Sequence, residues 1–76
     1  KEGLISFNNA SFGSIMRDFE KIYGLKINID NTHVGKYSYT GKFRFVDGID
    51  YALRVLQRDI KFEYQRDPET HIINIK

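Results

Sequence analysis

Asp47-Gly-Ile-Asp-Tyr-Ala-Leu-Arg-Val-Leu-Gln-Arg58 is the stretch that decides how this chain must be built. Between Ile49 and Leu56 only Asp50 and Arg54 are polar, spaced i,i+4 so that they can pair across one turn. Wound as an α-helix, Ile49, Tyr51, Ala52, Leu53, Val55 and Leu56 cover more than half of the circumference. An ordinary surface helix carries a narrower apolar stripe and leaves its other face to water. The pattern therefore predicts a helix sheltered from two directions, with the rest of the chain serving as the shelter.

Asp47 is the expected cap of this helix, and Asp50 at N3 adds negative charge where the helix dipole favours it. Just upstream, Tyr37 to Phe45 alternates as a strand. Tyr37, Tyr39, Phe43 and Phe45 share one face, and Ser38, Thr40, Lys42 and Arg44 share the other. Gly41 falls on the apolar face, which predicts a bulge or a close backbone approach. Downstream, Ile60-Lys-Phe-Glu-Tyr-Gln65 reads as a strand with Ile60, Phe62 and Tyr64 inward. Arg66-Asp-Pro-Glu-Thr70 reads as a turn, because Pro68 fixes φ and lacks a donor. His71-Ile-Ile-Asn-Ile-Lys76 is the return strand of that hairpin, with Ile73 and Ile75 inward.

The first half repeats this logic. Leu4-Ile-Ser-Phe7 is a short strand, and Asn8-Asn-Ala-Ser11 breaks its alternation and starts a helix. Ser11 is the expected N-cap, its hydroxyl meeting the free amide near Ser14. Phe12, Ile15, Met16, Phe19, Ile22 and Tyr23 then follow helical spacing, with Arg17, Asp18, Glu20 and Lys21 on the opposite side. Gly24 ends the helix as its left-handed residue. Leu25-Lys-Ile-Asn-Ile29 alternates as a half-buried strand, and Asp30 to Lys36 is a polar loop. The order is β-α-β-β-α-β-β in a single α+β domain spanning residues 1–76.

With 76 residues, a chain buries only about 60% of the surface it exposes when unfolded, so its stability is expected to be marginal. The absence of cysteine excludes disulfide staples, thiolate metal sites and a cysteine nucleophile, and is compatible with either redox compartment. A net charge of +2 is a weak basic excess, short of the clustered excess of most nucleic-acid binders. No apolar run is long enough to span a bilayer. The opening Lys1-Glu2-Gly3, without an initiator methionine, predicts a piece of a longer protein whose membrane or targeting segments lie elsewhere.

Several segments resemble a known family. Ile5-Ser-Phe-Asn-Asn-Ala-Ser-Phe12 is similar to the strand, Asn-Ala, helix entry of short periplasmic signalling domains. Arg17-Asp-Phe-Glu-Lys-Ile-Tyr-Gly-Leu-Lys-Ile27 resembles their helix exit and second strand. Tyr39-Thr-Gly-Lys-Phe43, then Asp47 and Ala52-Leu-Arg-Val-Leu56, resembles the C-terminal domain of FecR-type anti-sigma factors of Gram-negative bacteria. The resemblance runs from about Leu4 to Lys76. It implies two helices between a two-stranded and a three-stranded sheet, with Leu4–Phe7 paired to the strand ending at Phe45 and Leu25–Ile29 grouped with the C-terminal hairpin. A single five-stranded sheet with both helices on one face is the alternative.

Functionally, the resemblance implies a periplasmic domain at the C-terminal end of a regulator anchored in the inner membrane. Such a domain receives a signal from the N-terminal domain of a TonB-dependent outer-membrane transporter. A segment outside this chain then passes it to an extracytoplasmic-function sigma factor. The same fold occurs in the transporter signalling domains themselves and in secretins, which are the alternative assignments. No cofactor and no membrane insertion by this domain are implied.

Catalytic and metal chemistry find little footing. His33 and His71 have no second histidine or carboxylate at ligand spacing, whereas zinc sites need several convergent ligands. Asp47 and Asp50 are better explained by the first turn of a helix than by acid–base work, and Ser11 by capping. Asn9-Ala-Ser11 matches a glycosylation sequon but is accounted for by the N-cap. No catalytic, cofactor or metal residue is expected, and the protein is not expected to be an enzyme. Lys26, Lys42, Arg44, Lys61 and Lys76 at outward positions raise nucleic-acid binding as a competing function. Its aromatics, however, share the register of the core, leaving no stacking platform. Protein capture by strand addition at a sheet edge is the favoured mechanism. Tyr37, Tyr39, Lys42, Arg44 and Ile72 are the expected partner contacts, chosen by exposure from alternation.

Overall fold

The computed structural model describes residues 3–31 and 33–76; Lys1, Glu2 and Thr32, the last within the expected polar loop, lie outside them. Seven regular elements follow in order: β1 (Leu4–Ser11), α1 (Phe12–Tyr23), β2 (Lys26–Ile29), β3 (Ser38–Arg44), α2 (Gly48–Asp59), β4 (Tyr64–Asp67) and β5 (Ile72–Ile75). Short 3-10 turns precede β3 and α2, at Val34–Lys36 and Phe45–Asp47. β1 pairs antiparallel with β3 in a two-stranded sheet, and β2, β5 and β4 form a second sheet with β5 in the centre. β2 runs parallel to β5 and β4 antiparallel to it. This is the expected two-sheet architecture, not the five-stranded alternative.

α1 forms as its sequence demands. The Ser11 hydroxyl accepts the Ser14 N–H at 3.3 Å, and Gly24 closes the helix at φ 65°. The Gly24 and Leu25 amides both return to the Glu20 carbonyl. Phe12, Ile15, Met16 and Phe19 are buried along one face. Phe19 meets Phe7 of β1 and Phe43 of β3 edge-on, at 5.6 and 5.9 Å between ring centroids, while Phe12 meets Phe62 at 5.1 Å. One end of the stripe thus meets the two-stranded sheet through Phe19, and the other meets the irregular segment before β4 through Phe12. Ile73 and Ile75 of the central strand are fully buried.

α2 departs from expectation. Ile49, Ala52, Leu53 and Leu56 are buried, but Val55 is half-buried and Tyr51 is 49% exposed. The buried set is i, i+3, i+4, i+7, one ordinary stripe, so α2 is covered along one face rather than from two directions. Asp50 pairs with Arg66 of β4 instead of Arg54, because β4 passes beside the first turn of the helix. Asp47 stands at the N-cap position in helical backbone geometry, with φ −75° and ψ −17°, and its side chain makes no capping bond. It faces the Arg44 guanidinium at 3.5 Å instead.

Other boundaries move for physical reasons. β1 continues to Ser11 instead of ending at Phe7. Its pairing slips by one residue between Phe7 and Ala10, and Asn9 takes φ 53° with its N–H on Thr40 Oγ1. The bulge therefore lies in β1, opposite the β3 region where Gly41 had pointed to one. Val34, expected in a polar loop, is buried at 1% exposure, pinned by the 3-10 turn against the core. Phe45, expected inward, leaves the strand in a turn and is 44% exposed. The last hairpin sits later than expected: β4 begins at Tyr64, and its turn covers residues 68–71, with His71 at φ 59°. Ile60 and Phe62 are buried from an irregular approach segment.

Candidate protein-interaction surface

The expected contact residues fall into two groups. On β3, Lys42 and Arg44 point outward opposite Ser6 and Leu4 of β1. Tyr39 lies on the opposite side of the same strand. Its ring stacks on Phe43 at 5.8 Å and 22°, and covers Gly41 so closely that a Cβ there would stand 2.6 Å from the ring. The close approach foreseen at Gly41 is real, but a side chain makes it. Tyr37 precedes the strand, is 42% exposed, and gives its carbonyl to the Phe12 N–H at 3.2 Å. Ile72 belongs to the central strand of the other sheet, half-buried between Lys26 and Asp67. Ile72 and the β3 residues therefore sit on different sheets and do not form one patch.

Backbone polarity separates the sheet edges. On β2, the Ile27 N–H points away from β5 and is taken by Glu20 Oε2 at 2.7 Å. A carboxylate from α1 thus occupies a donor that an incoming strand would need. On β4, the mutual bonds of Glu63 and Lys76 set the ladder, so Tyr64 and Arg66 turn their backbone groups outward. Both side chains reach back to Asp50, the tyrosine hydroxyl donating at 3.4 Å. On β3, the Phe45 N–H on the Gly3 carbonyl makes Phe43 and Gly41 the ladder-bonded residues. Lys42 and Arg44 consequently present their backbone groups at the free edge. Here exposed backbone donors and acceptors coincide with basic side chains.

The outer face of the three-stranded sheet is polar. Asn28 donates to Asn74 at 3.2 Å and Lys76 to Gln65 at 3.1 Å. Lys26 and Lys76 lie on this side while Lys42 and Arg44 lie on the other sheet, so the basic residues do not share one face. Partial burial, then the nearby Asp47 carboxylate, pushes the Tyr23 hydroxyl above its ordinary pKa. The Glu69 backbone N–H holds the Asp67 carboxyl below its usual value, with help from the Thr70 side chain. Among the described residues, no three His, Cys, Asp or Glu side chains converge as metal ligands, and no helix is long and apolar enough to cross a membrane.

Two features escaped sequence reasoning. Val46 is 81% exposed beside Phe45. The signal was available: Phe45-Val46 is an apolar pair at a strand end, and alternation cannot bury both. The guarding of β2 by Glu20 had none, because it depends on how α1 lies across the sheet.

Comparison with known proteins gives a consistent picture. The family model described as FecR, C-terminal, matches residues 4–73. No curated protein is a significant match. A crystal structure of a Parabacteroides distasonis protein assigned as an anti-sigma factor superimposes with a TM-score of 0.84 at 20% identity, over 99% of this chain and 34% of the other. A second crystal structure of an anti-sigma factor assignment from that organism gives 0.82 at 20% identity, over 97% and 33%. The chain spans about a third of the length of these structural relatives.

Proposed function

The chain belongs to the FecR C-terminal family, and on that premise we propose that it is the periplasmic protein-binding domain of an anti-sigma regulator. In this reading it receives a signal from the N-terminal domain of a TonB-dependent outer-membrane transporter. Segments outside this chain anchor the regulator in the inner membrane and reach the sigma factor. The family match over nearly the whole chain carries the reading.

Contact is by strand addition on the β3 edge. That edge offers the outward backbone groups of Lys42 and Arg44 and two cationic side chains, which suits a partner strand flanked by acidic residues. Tyr37 borders the same edge, Tyr39 supports it from behind, and Ile72 contributes only if the partner also reaches the other sheet. The test is calorimetric titration of the regulator with the transporter's N-terminal domain. Lys42→Glu/Arg44→Glu is expected to weaken binding by about tenfold or more, since reversed charges at an interface repel. Unchanged affinity in a folded variant refutes the β3 edge, and no binding by the wild-type protein refutes the relay.

A further inference from the structure

At one end of the molecule, apolar side chains gather where the chain enters the fold. The Gly3 carbonyl accepts the Phe45 N–H, which brings the incoming chain against the turn after β3. Phe45 is 44% and Val46 81% exposed, whereas Leu4, paired with Arg44, faces the outer side of the sheet. The Tyr23 ring stacks on Phe45 at 5.0 Å and 10°, and its hydroxyl donates to the Phe45 carbonyl at 3.2 Å. The turn is therefore held from α1 and from the residue that precedes β1, so Val46 and the free face of the Phe45 ring stand on a braced backbone. An 81% exposed valine on such a support gains nothing for this domain alone.

We infer that Phe45, Val46 and the Tyr23 ring are the seat of the domain that precedes this one in the same polypeptide. The family match is to a C-terminal domain, and the structural relatives are about three times as long, so most of such a protein lies before Leu4. That polypeptide must arrive beside Phe45, because Gly3 is bonded there. Size decides between a tethered and a free occupant. These side chains offer on the order of 200 Å², whereas free partners bury roughly 1,200–2,000 Å² in total. A neighbour on a short tether sits at an effective concentration of about millimolar, at which a small apolar contact suffices.

Cysteine scanning tests this, since the described domain has no native thiol. In the full-length protein, with any cysteines elsewhere replaced, Val46→Cys and the exposed control Lys61→Cys are labelled with a maleimide. Val46→Cys should react about tenfold or more slowly than Lys61→Cys in the folded protein and equally in urea, as expected for a protected site. Equal rates in the folded protein overturn the inference. Protection that vanishes on dilution overturns it in favour of a second copy. Protection that appears only when the transporter domain is added assigns the patch to that partner and overturns it as well.

Discussion

Tyr39 lies flat over Gly41 and stacks on Phe43, so the missing side chain at Gly41 is a packing requirement rather than a backbone one. Gly41→Ala should displace the ring and lower stability by about 1 kcal/mol, the scale of one aromatic pair. In a Tyr39→Ala background the same change should cost almost nothing further, which a double-mutant cycle in urea measures. Tyr23 behaves differently because it titrates. Its folded pKa is raised, so the stability it contributes is complete below its unfolded value near pH 10 and is lost as pH rises through the folded pKa. Tyr23→Phe should flatten that alkaline loss, seen as a smaller fall in denaturation midpoint between about pH 9 and 11. Asp67 has the opposite sign: its lowered carboxyl contributes above the unfolded value near pH 4, and the contribution disappears as pH falls through the folded pKa.

Among the elements, β2 depends on a residue of α1. The bond from the Ile27 N–H to Glu20 is charge-assisted and partly buried, so Glu20→Ala should cost about 1–2 kcal/mol in thermal or urea unfolding. It also opens the β2 edge, and light scattering should show association of Glu20→Ala at concentrations where Glu20→Gln stays monodisperse. Asp50 ties α2 to β4 through Arg66 and Tyr64, yet both members of the ion pair are 39% exposed. Water screens such a pair, so Asp50→Ala should lose no more than about 1 kcal/mol. A larger loss would mean that the helix depends on this tether and not on its buried stripe.

Considered whole, the domain is small enough for one aromatic to decide whether it folds. A chain of this length holds about 4–11 kcal/mol of stability in total. Phe19 touches both strands of the two-stranded sheet from the middle of α1. Phe19→Ala should remove about 3–5 kcal/mol and leave a partly unfolded population at 37 °C by circular dichroism. The separation of the β3 edge from Ile72 matters at this scale too. A partner engaging both would have to wrap the molecule, whereas one engaging β3 alone needs only the sheet of β1 and β3.

Local chemistry was readable where a residue's role depends on its neighbours in the chain. Ser11 and Gly24 bounded α1 because capping and left-handed closure are decided within a few residues. Alternation placed Ile73 and Ile75 inward, because the period of a strand allows only two faces, whereas the pairing of β1 with β3 came from the family resemblance. The exposure of Tyr51, the loss of Asp50 to Arg66, and the burial of Val34 were settled only in three dimensions. Each depends on a group far along the chain, or on where a turn happens to pack, and periodicity carries no such distances. The same holds for Phe45 and Val46: alternation placed Phe45 inward, and only the 3-10 turn that follows β3 left it 44% and Val46 81% exposed, because the turn carries both residues out of the strand register while Tyr23 stacks on the Phe45 ring.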